Sequence, residues 1–233
     1  MTTAAVVPYA KKNWLWLAVN AAAAIPLLQM VVGYATDTLG VDPVATLTTR
    51  TGTAAIMTLV LSLACTPANM LFGWRKALTV RKSLGLWAFT YAALHMLVFI
   101  GLDYGLDWRF IWQDALLEKQ YIFVGLTALL ILLPLALTST KGWMRRLGRN
   151  WKRLHQLVYI AGILAVLHYF ILVKIDKREP LIYAGVLALL LVLRLPPVRR
   201  QVSRVRQRFS RKPGKTAARP PQVVTPPELE QIG

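Results

Sequence analysis

A chain of 233 residues that is 56% hydrophobic, with a mean hydropathy of +0.47, excludes an ordinary soluble domain and belongs in a membrane. Its formal charge of +18, from 28 Lys and Arg against 10 Asp and Glu, is confined to loops and a tail between apolar runs. That distribution excludes a compact nucleic-acid-binding face and marks membrane topology instead. The single cysteine, Cys65, excludes an internal disulfide and any paired-thiol redox or metal motif.

Six apolar segments follow one another along the chain. After a short stretch, residues 1–13, the first segment covers 14–34; it is too long for a signal-peptide core and is expected to stay as an anchor. The second covers 52–72, the third 84–102, the fourth 121–138 and the fifth 154–173. The sixth, 181–195, is short for a span, and Arg194 near its end is expected to reach out to the interface.

The loops alternate in charge. Residues 73–83 hold Arg75, Lys76, Arg81 and Lys82, and 139–153 hold Lys141, Arg145, Arg146, Arg149, Lys152 and Arg153, with no acid in either. Residues 35–51 carry Asp37 and Asp42 against Arg50, and 103–118 carry Asp103, Asp107, Asp114 and Glu118 against Arg109. The pattern predicts an all-α membrane protein, a six-transmembrane helix bundle with both termini cytoplasmic and its acidic loops on the far side. The mildly basic loop 174–180 departs from it slightly.

Residues 196–233 hold seven of the 13 prolines and nine basic residues, a composition expected of a largely disordered cytoplasmic tail. Val198, Val202, Val205 and Phe209 recur there at helical spacing among arginines, which predicts a short helix lying on anionic lipid. Lipid is the expected partner of this tail, not nucleic acid.

All three histidines, His95, His155 and His168, fall in the apolar segments, where ionisable groups are rare and usually functional. At roughly 1.5 Å rise per residue, His95 on the third helix and His168 on the fifth reach similar depth toward the acidic end, on helices running the same way. Two such imidazoles suit a six-coordinate haem iron; a proton relay and plain structural hydrogen bonding are the alternatives. Phe89, Tyr91, Phe99, Tyr169 and Phe170 are candidates to line the slot. His155 lies thirteen residues before His168, roughly 20 Å nearer the basic end and about 140° around an ideal helix, so it serves another place. With Arg81 it borders a second, inner site for another haem, a flavin or a quinone, or else it is an interfacial histidine. Zinc lacks further ligands at matching depth, and no nucleotide-binding or hydrolase motif occurs.

The segments TSTKGWMRRLGRNWKRLHQLVYIAGILAVLHY, RKSLGLWAFTYAALH and KREPLIYAG resemble the ferric-reductase-like transmembrane family and, within it, the haem-binding membrane subunits of bacterial protein-methionine-sulfoxide reductase systems. The resemblance runs over residues 14–195. It implies a multi-pass b-type cytochrome of the bacterial inner membrane, with one or two haems and FMN. Such a subunit takes electrons from the quinone pool or a cytoplasmic flavin reductase. It passes them to a periplasmic molybdopterin-containing methionine sulfoxide reductase that repairs oxidised proteins, so the chain is an electron-transfer subunit and not the catalytic one. By position, His95 and His168 match the family's principal haem ligands, and His155 and Arg81 match positions implicated on the cytoplasmic side. The competing reading is a proton-coupled transporter using buried histidines as a relay.

Overall fold

The computed structural model describes residues 3–117 and 119–210, and all regular structure among them is helical. Helix α1 (Thr3–Ala35) bends at Asn13, and its apolar part runs Asn13–Ala35. Helix α2 (Pro43–Phe72) begins well before the apolar segment it carries. Asp42 caps it, its carboxylate accepting from the Ala45 N–H at 2.9 Å, and Pro43 supplies a first-turn residue that needs no donor. The helix ends at Gly73, whose φ of 71° is left-handed and whose N–H caps the Asn69 carbonyl.

Helix α3 (Arg75–Val98) returns antiparallel along α2 and runs into a π-helical turn, Phe99–Asp103. Helix α4 (Trp108–Leu117) is an element the loop reading missed. The Asp107 carboxylate accepts from the N–H groups of Arg109 and Phe110 at its start, and Trp108, Phe110 and Trp112 stand exposed along it. Such aromatic side chains suit a helix lying at a membrane interface.

Helix α5 (Tyr121–Leu137) turns by 96° into α6 (Lys141–Leu147). Gly148, at φ 50°, forms the corner into α7 (Arg149–His155), and α8 (Val158–Leu172) continues it. The expected span over 154–173 falls on Arg149–Leu172, with a tighter turn where α7 meets α8. At the junction Gln156 and Leu157 donate three residues back, to the Arg153 and Leu154 carbonyls, a tighter winding that upsets the ideal-helix angle between His155 and His168. Helix α9 (Arg178–Val192) then bends by 77° into α10 (Pro196–Ser210), where the tail shows its helical spacing. The tail beyond Ser210, and the disorder expected of it, lies outside the described residues.

Helices Asn13–Ala35, Pro43–Phe72, Arg75–Asp103 and Arg149–Leu172 are each long and apolar enough to cross a membrane, and counting each bent pair as one span raises the number from four to six. Helix α2 is the centre, packed against α1, α3, α8, α9 and α10, while α5 packs on α8 and α3. Two of its buried hydroxyls return to their own helix, Thr51 Oγ1 donating to the Leu47 carbonyl and Thr58 Oγ1 to that of Ala54, while Ser62 Oγ donates across to the Arg81 carbonyl on α3, so each of these hydroxyls is satisfied inside the bundle. Leu63, Ile56, Val166, Leu187 and Leu190 join α2, α8 and α9 in one core. Leu28, Val31, Leu130, Ile163 and Leu189 point outward, as a bundle meeting lipid requires.

Candidate functional site

The structure brings His95 of α3 and His168 of α8 together, their ring centroids 6.1 Å apart and their planes at 85°. Each ring is tied at Nδ1 to a main-chain carbonyl of a third helix. His95 Nδ1 lies 2.9 Å from the Thr48 oxygen on α2, and His168 Nδ1 lies 2.8 Å from the Tyr121 oxygen on α5. A carbonyl only accepts, so the proton of each neutral ring sits on Nδ1 and the lone pair on Nε2. Such an outer-shell bond orients an imidazole for a metal and raises its basicity. Thr51 Oγ1, 3.4 Å from His95 Nδ1, gives its own proton to Leu47 and adds only an acceptor.

Two glycines complete the seats. A Cβ on Gly125 of α5 would stand 2.7 Å from His168 Nδ1, and one on Gly52 of α2 would stand 3.2 Å from His95 Nδ1. Gly52 follows Thr48 by four residues, and Gly125 follows Tyr121 by four. One helical turn therefore separates the carbonyl that holds the ring from the bare Cα over which the ring lies. The same device serves both histidines. Sequence reasoning missed Gly52 and Gly125; a glycine inside each of two apolar segments was the available signal.

The aromatic residues expected in the slot mostly go elsewhere. Tyr91 donates its hydroxyl to the Ala23 carbonyl on α1, Phe99 packs on Tyr104, Tyr169 donates to Glu179 and Phe170 lies under Lys177. Phe89 packs in the core with Leu132 and Ala161. The aromatic ring beside His168 is that of Tyr121, 5.7 Å away and edge-on.

His155 stands apart from this pair. Its ring stacks on Trp151 at 4.0 Å, its Nδ1 lies 3.2 Å from the Trp151 carbonyl, and its Nε2 is 3.5 Å from Ser139 Oγ. Ser139 spends its proton on the Leu135 carbonyl at 2.7 Å, so its oxygen can only accept from Nε2, and both ring nitrogens of His155 face acceptors. Arg81 lies near enough to act electrostatically on His155, while its Nη1 donates to Thr66 Oγ1 at 3.0 Å. Arg194 does not reach out to the interface. It turns inward, donating from Nη1 to the Tyr159 hydroxyl and from Nη2 to the Leu63 carbonyl. Pro67 explains the second bond. Having no N–H, it leaves the carbonyl four residues earlier without its helical donor, and the guanidinium supplies one.

The sequence profile of the ferric-reductase-like transmembrane component matches residues 51–166. A protein of Rhodospirillum rubrum named protein-methionine-sulfoxide reductase heme-binding subunit MsrQ is 48% identical over 189 residues, 80% of this chain and 90% of that protein. Proteins of the same name from Xanthomonas campestris pathovar campestris are 52% identical over 155 residues, 66% of this chain and 71% of theirs. The chain belongs to the ferric-reductase-like transmembrane family. The matched family segment contains Gly52, Arg81, His95, Gly125 and His155 and stops two residues before His168. One half of the facing pair thus lies in the common family segment, and the other just past its edge.

Proposed function

We propose that this member of the ferric-reductase-like family is a b-type cytochrome of the bacterial inner membrane, holding haem iron between His95 and His168. The observation that carries the reading is the matched pair of Nδ1 tethers, which leaves two Nε2 lone pairs for one metal. The spacing fits. Two imidazoles that would hold one metal through Nε2 need to stand close together, and here their centroids are 6.1 Å apart. His95 and His168 would be the residues that hold haem iron there, the macrocycle supplying its other ligands. Haem bound there supplies a one-electron carrier. The chain's part is to fix both tautomers, hold both rings and keep the slot apolar. The transporter reading is weaker, because each Nδ1 proton is committed to a main-chain carbonyl and not to a side chain that titrates.

His155 and Arg81 form the inner station, for a second haem or for the FMN that the family implies. The basic end carries donors suited to the FMN phosphate. Six spans with both termini in the cytoplasm satisfy the loop charges, and an alkaline phosphatase fused after Gly233 is expected to stay in the cytoplasm and remain inactive. Electrons enter from the quinone pool or a cytoplasmic flavin reductase and leave at the acidic end. There a methionine sulfoxide reductase is the acceptor, as the names of the relatives suggest; that it is periplasmic and contains molybdopterin is what the family resemblance implies.

Visible and EPR spectra of the purified protein test this directly. Dithionite is expected to bring up the reduced bands of a b-type cytochrome. The oxidised protein is expected to give the strongly anisotropic low-spin signal of near-perpendicular axial imidazoles, since the rings stand at 85°. Colourless protein from haem-replete cells would sink the proposal.

A further inference from the structure

The acids of this chain occupy residues 37, 42, 103, 107, 114, 118, 176, 179, 228 and 230. Stretches 1–36, 43–102, 119–175 and 180–227 therefore contain none, and the basic loops 73–83 and 139–153 and helix α10 lie within them. Two half-buried guanidiniums meet at this basic end. Arg81 is held by Thr66 and Arg194 by Leu63, positions three residues apart on α2, and the two cations act on each other electrostatically. Their hydrogen-bond partners are the Thr66 and Tyr159 hydroxyls and the Leu63 carbonyl, none of them an anionic carboxylate. Arg194 Nε is buried without any hydrogen-bond partner among the described residues. Placing two like charges together away from bulk water is costly unless an anion joins them.

The surroundings add to the positive charge. Beside Arg194, where α9 bends by 77° into α10, a cleft of about 460 Å³ is lined by Arg194, Pro196, Arg199, Arg200 and Arg204. Helix α10 packs on α2, and the cleft brings its exposed arginines beside Arg194, which α2 anchors through the Leu63 carbonyl. From these observations we infer that the cleft at the α9–α10 bend binds a phosphate ester, with Arg194 at its base and Arg199, Arg200 and Arg204 around its mouth. Guanidinium forks match phosphate oxygens in pairs, and the volume leaves room for the group that the phosphate is esterified to. An uncharged quinone does not answer this charge. A lipid headgroup and the phosphate arm of a soluble cofactor share the chemistry that does.

The inference rests on the reading of the basic end as a ligand station, but it can fail separately. The full-length protein is placed in nanodiscs of phosphatidylcholine alone and titrated with FMN and with inorganic phosphate. A second preparation contains phosphatidylglycerol, and the lipid retained by the protein after extraction is assayed. Saturable binding in neutral lipid assigns the cleft to a soluble ester, and selective retention of phosphatidylglycerol assigns it to a headgroup; either supports the inference. Arg194→Gln and the triple variant Arg199→Gln, Arg200→Gln, Arg204→Gln are each expected to weaken the binding at least about ten-fold. The triple variant lies on an exposed helix and keeps the test usable if Arg194→Gln loosens α2. Binding no tighter in the wild type than in the triple variant would overturn the inference. So would binding lost in His155→Ala but kept in Arg194→Gln, which would move the anion to the histidine.

Discussion

Alanine at His168 is expected to remove the low-spin haem from the purified protein, lowering the haem-to-protein ratio and erasing the near-perpendicular EPR signal. His168 is one of two rings whose Nε2 atoms are left free by Nδ1 bonds to main-chain carbonyls, so no other histidine can take its place. The remaining one, His155, is stacked on Trp151 in a different helix segment. Loss of an outer-shell partner costs roughly 10–100-fold in metal affinity; loss of the ligand itself is expected to exceed that. His95→Ala is expected to behave the same way, and His155→Ala to leave this signal in place. His168→Gly with added imidazole supplies a sharper check. If the nitrogen alone is missing, the free base is expected to restore the low-spin signal. An unchanged spectrum in either single alanine variant would end the ligand assignment.

Much of this arrangement is legible in the sequence because it depends on local properties. Apolar length finds the helices, and helix rise brings His95 and His168 level. What the sequence hides depends on a neighbour. The tighter turn between α7 and α8 is made by hydrogen bonds that slip by one residue at Gln156 and Leu157, so counting 100° per residue across it misplaces His155 relative to His168. Arg194 reads as a cation at the end of a short span. Its inward course follows only once Pro67 on α2 is seen to leave the Leu63 carbonyl open beside it. Helix α4 was hidden by its polar content, although Asp107 followed by Trp108, Phe110 and Trp112 already carries a cap and an aromatic face. The aromatic residues near the histidines were the least informative, since ring-bearing side chains at helical spacing serve packing as readily as a cofactor slot.

Gly125→Ala is expected to damage the haem site more than Gly52→Ala, although each adds only one methyl group. The new Cβ at position 125 would stand 2.7 Å from His168 Nδ1 and 2.8 Å from Cε1, closer than real Cβ contacts come, whereas at position 52 the nearest atom is His95 Nδ1 at 3.2 Å. At 125 the ring has to move. It is held at one edge by the Tyr121 carbonyl, 2.8 Å from Nδ1, so turning away from the methyl stretches the bond that fixes the tautomer. Overpacking of this kind costs about 1–3 kcal/mol, or roughly 5- to 150-fold in affinity at that ligand. At 52 a shift of a few tenths of an ångström relieves the contact, and His95 retains both the Thr48 carbonyl and Thr51 Oγ1 close by. Gly52→Ala is therefore expected to keep its haem with a changed EPR anisotropy, because tilting one ring alters the 85° between the planes. Gly125→Ala is expected to lose haem on purification or to hold it with a mixed spin state. Helix propensity works the other way, since alanine favours a helix over glycine by about 1 kcal/mol. A folded, helical and unloaded Gly125→Ala protein is therefore the diagnostic outcome, separating a seat for the ligand ring from a general need for small residues between helices. Equal haem retention and identical EPR spectra in both variants would show that neither glycine positions its histidine.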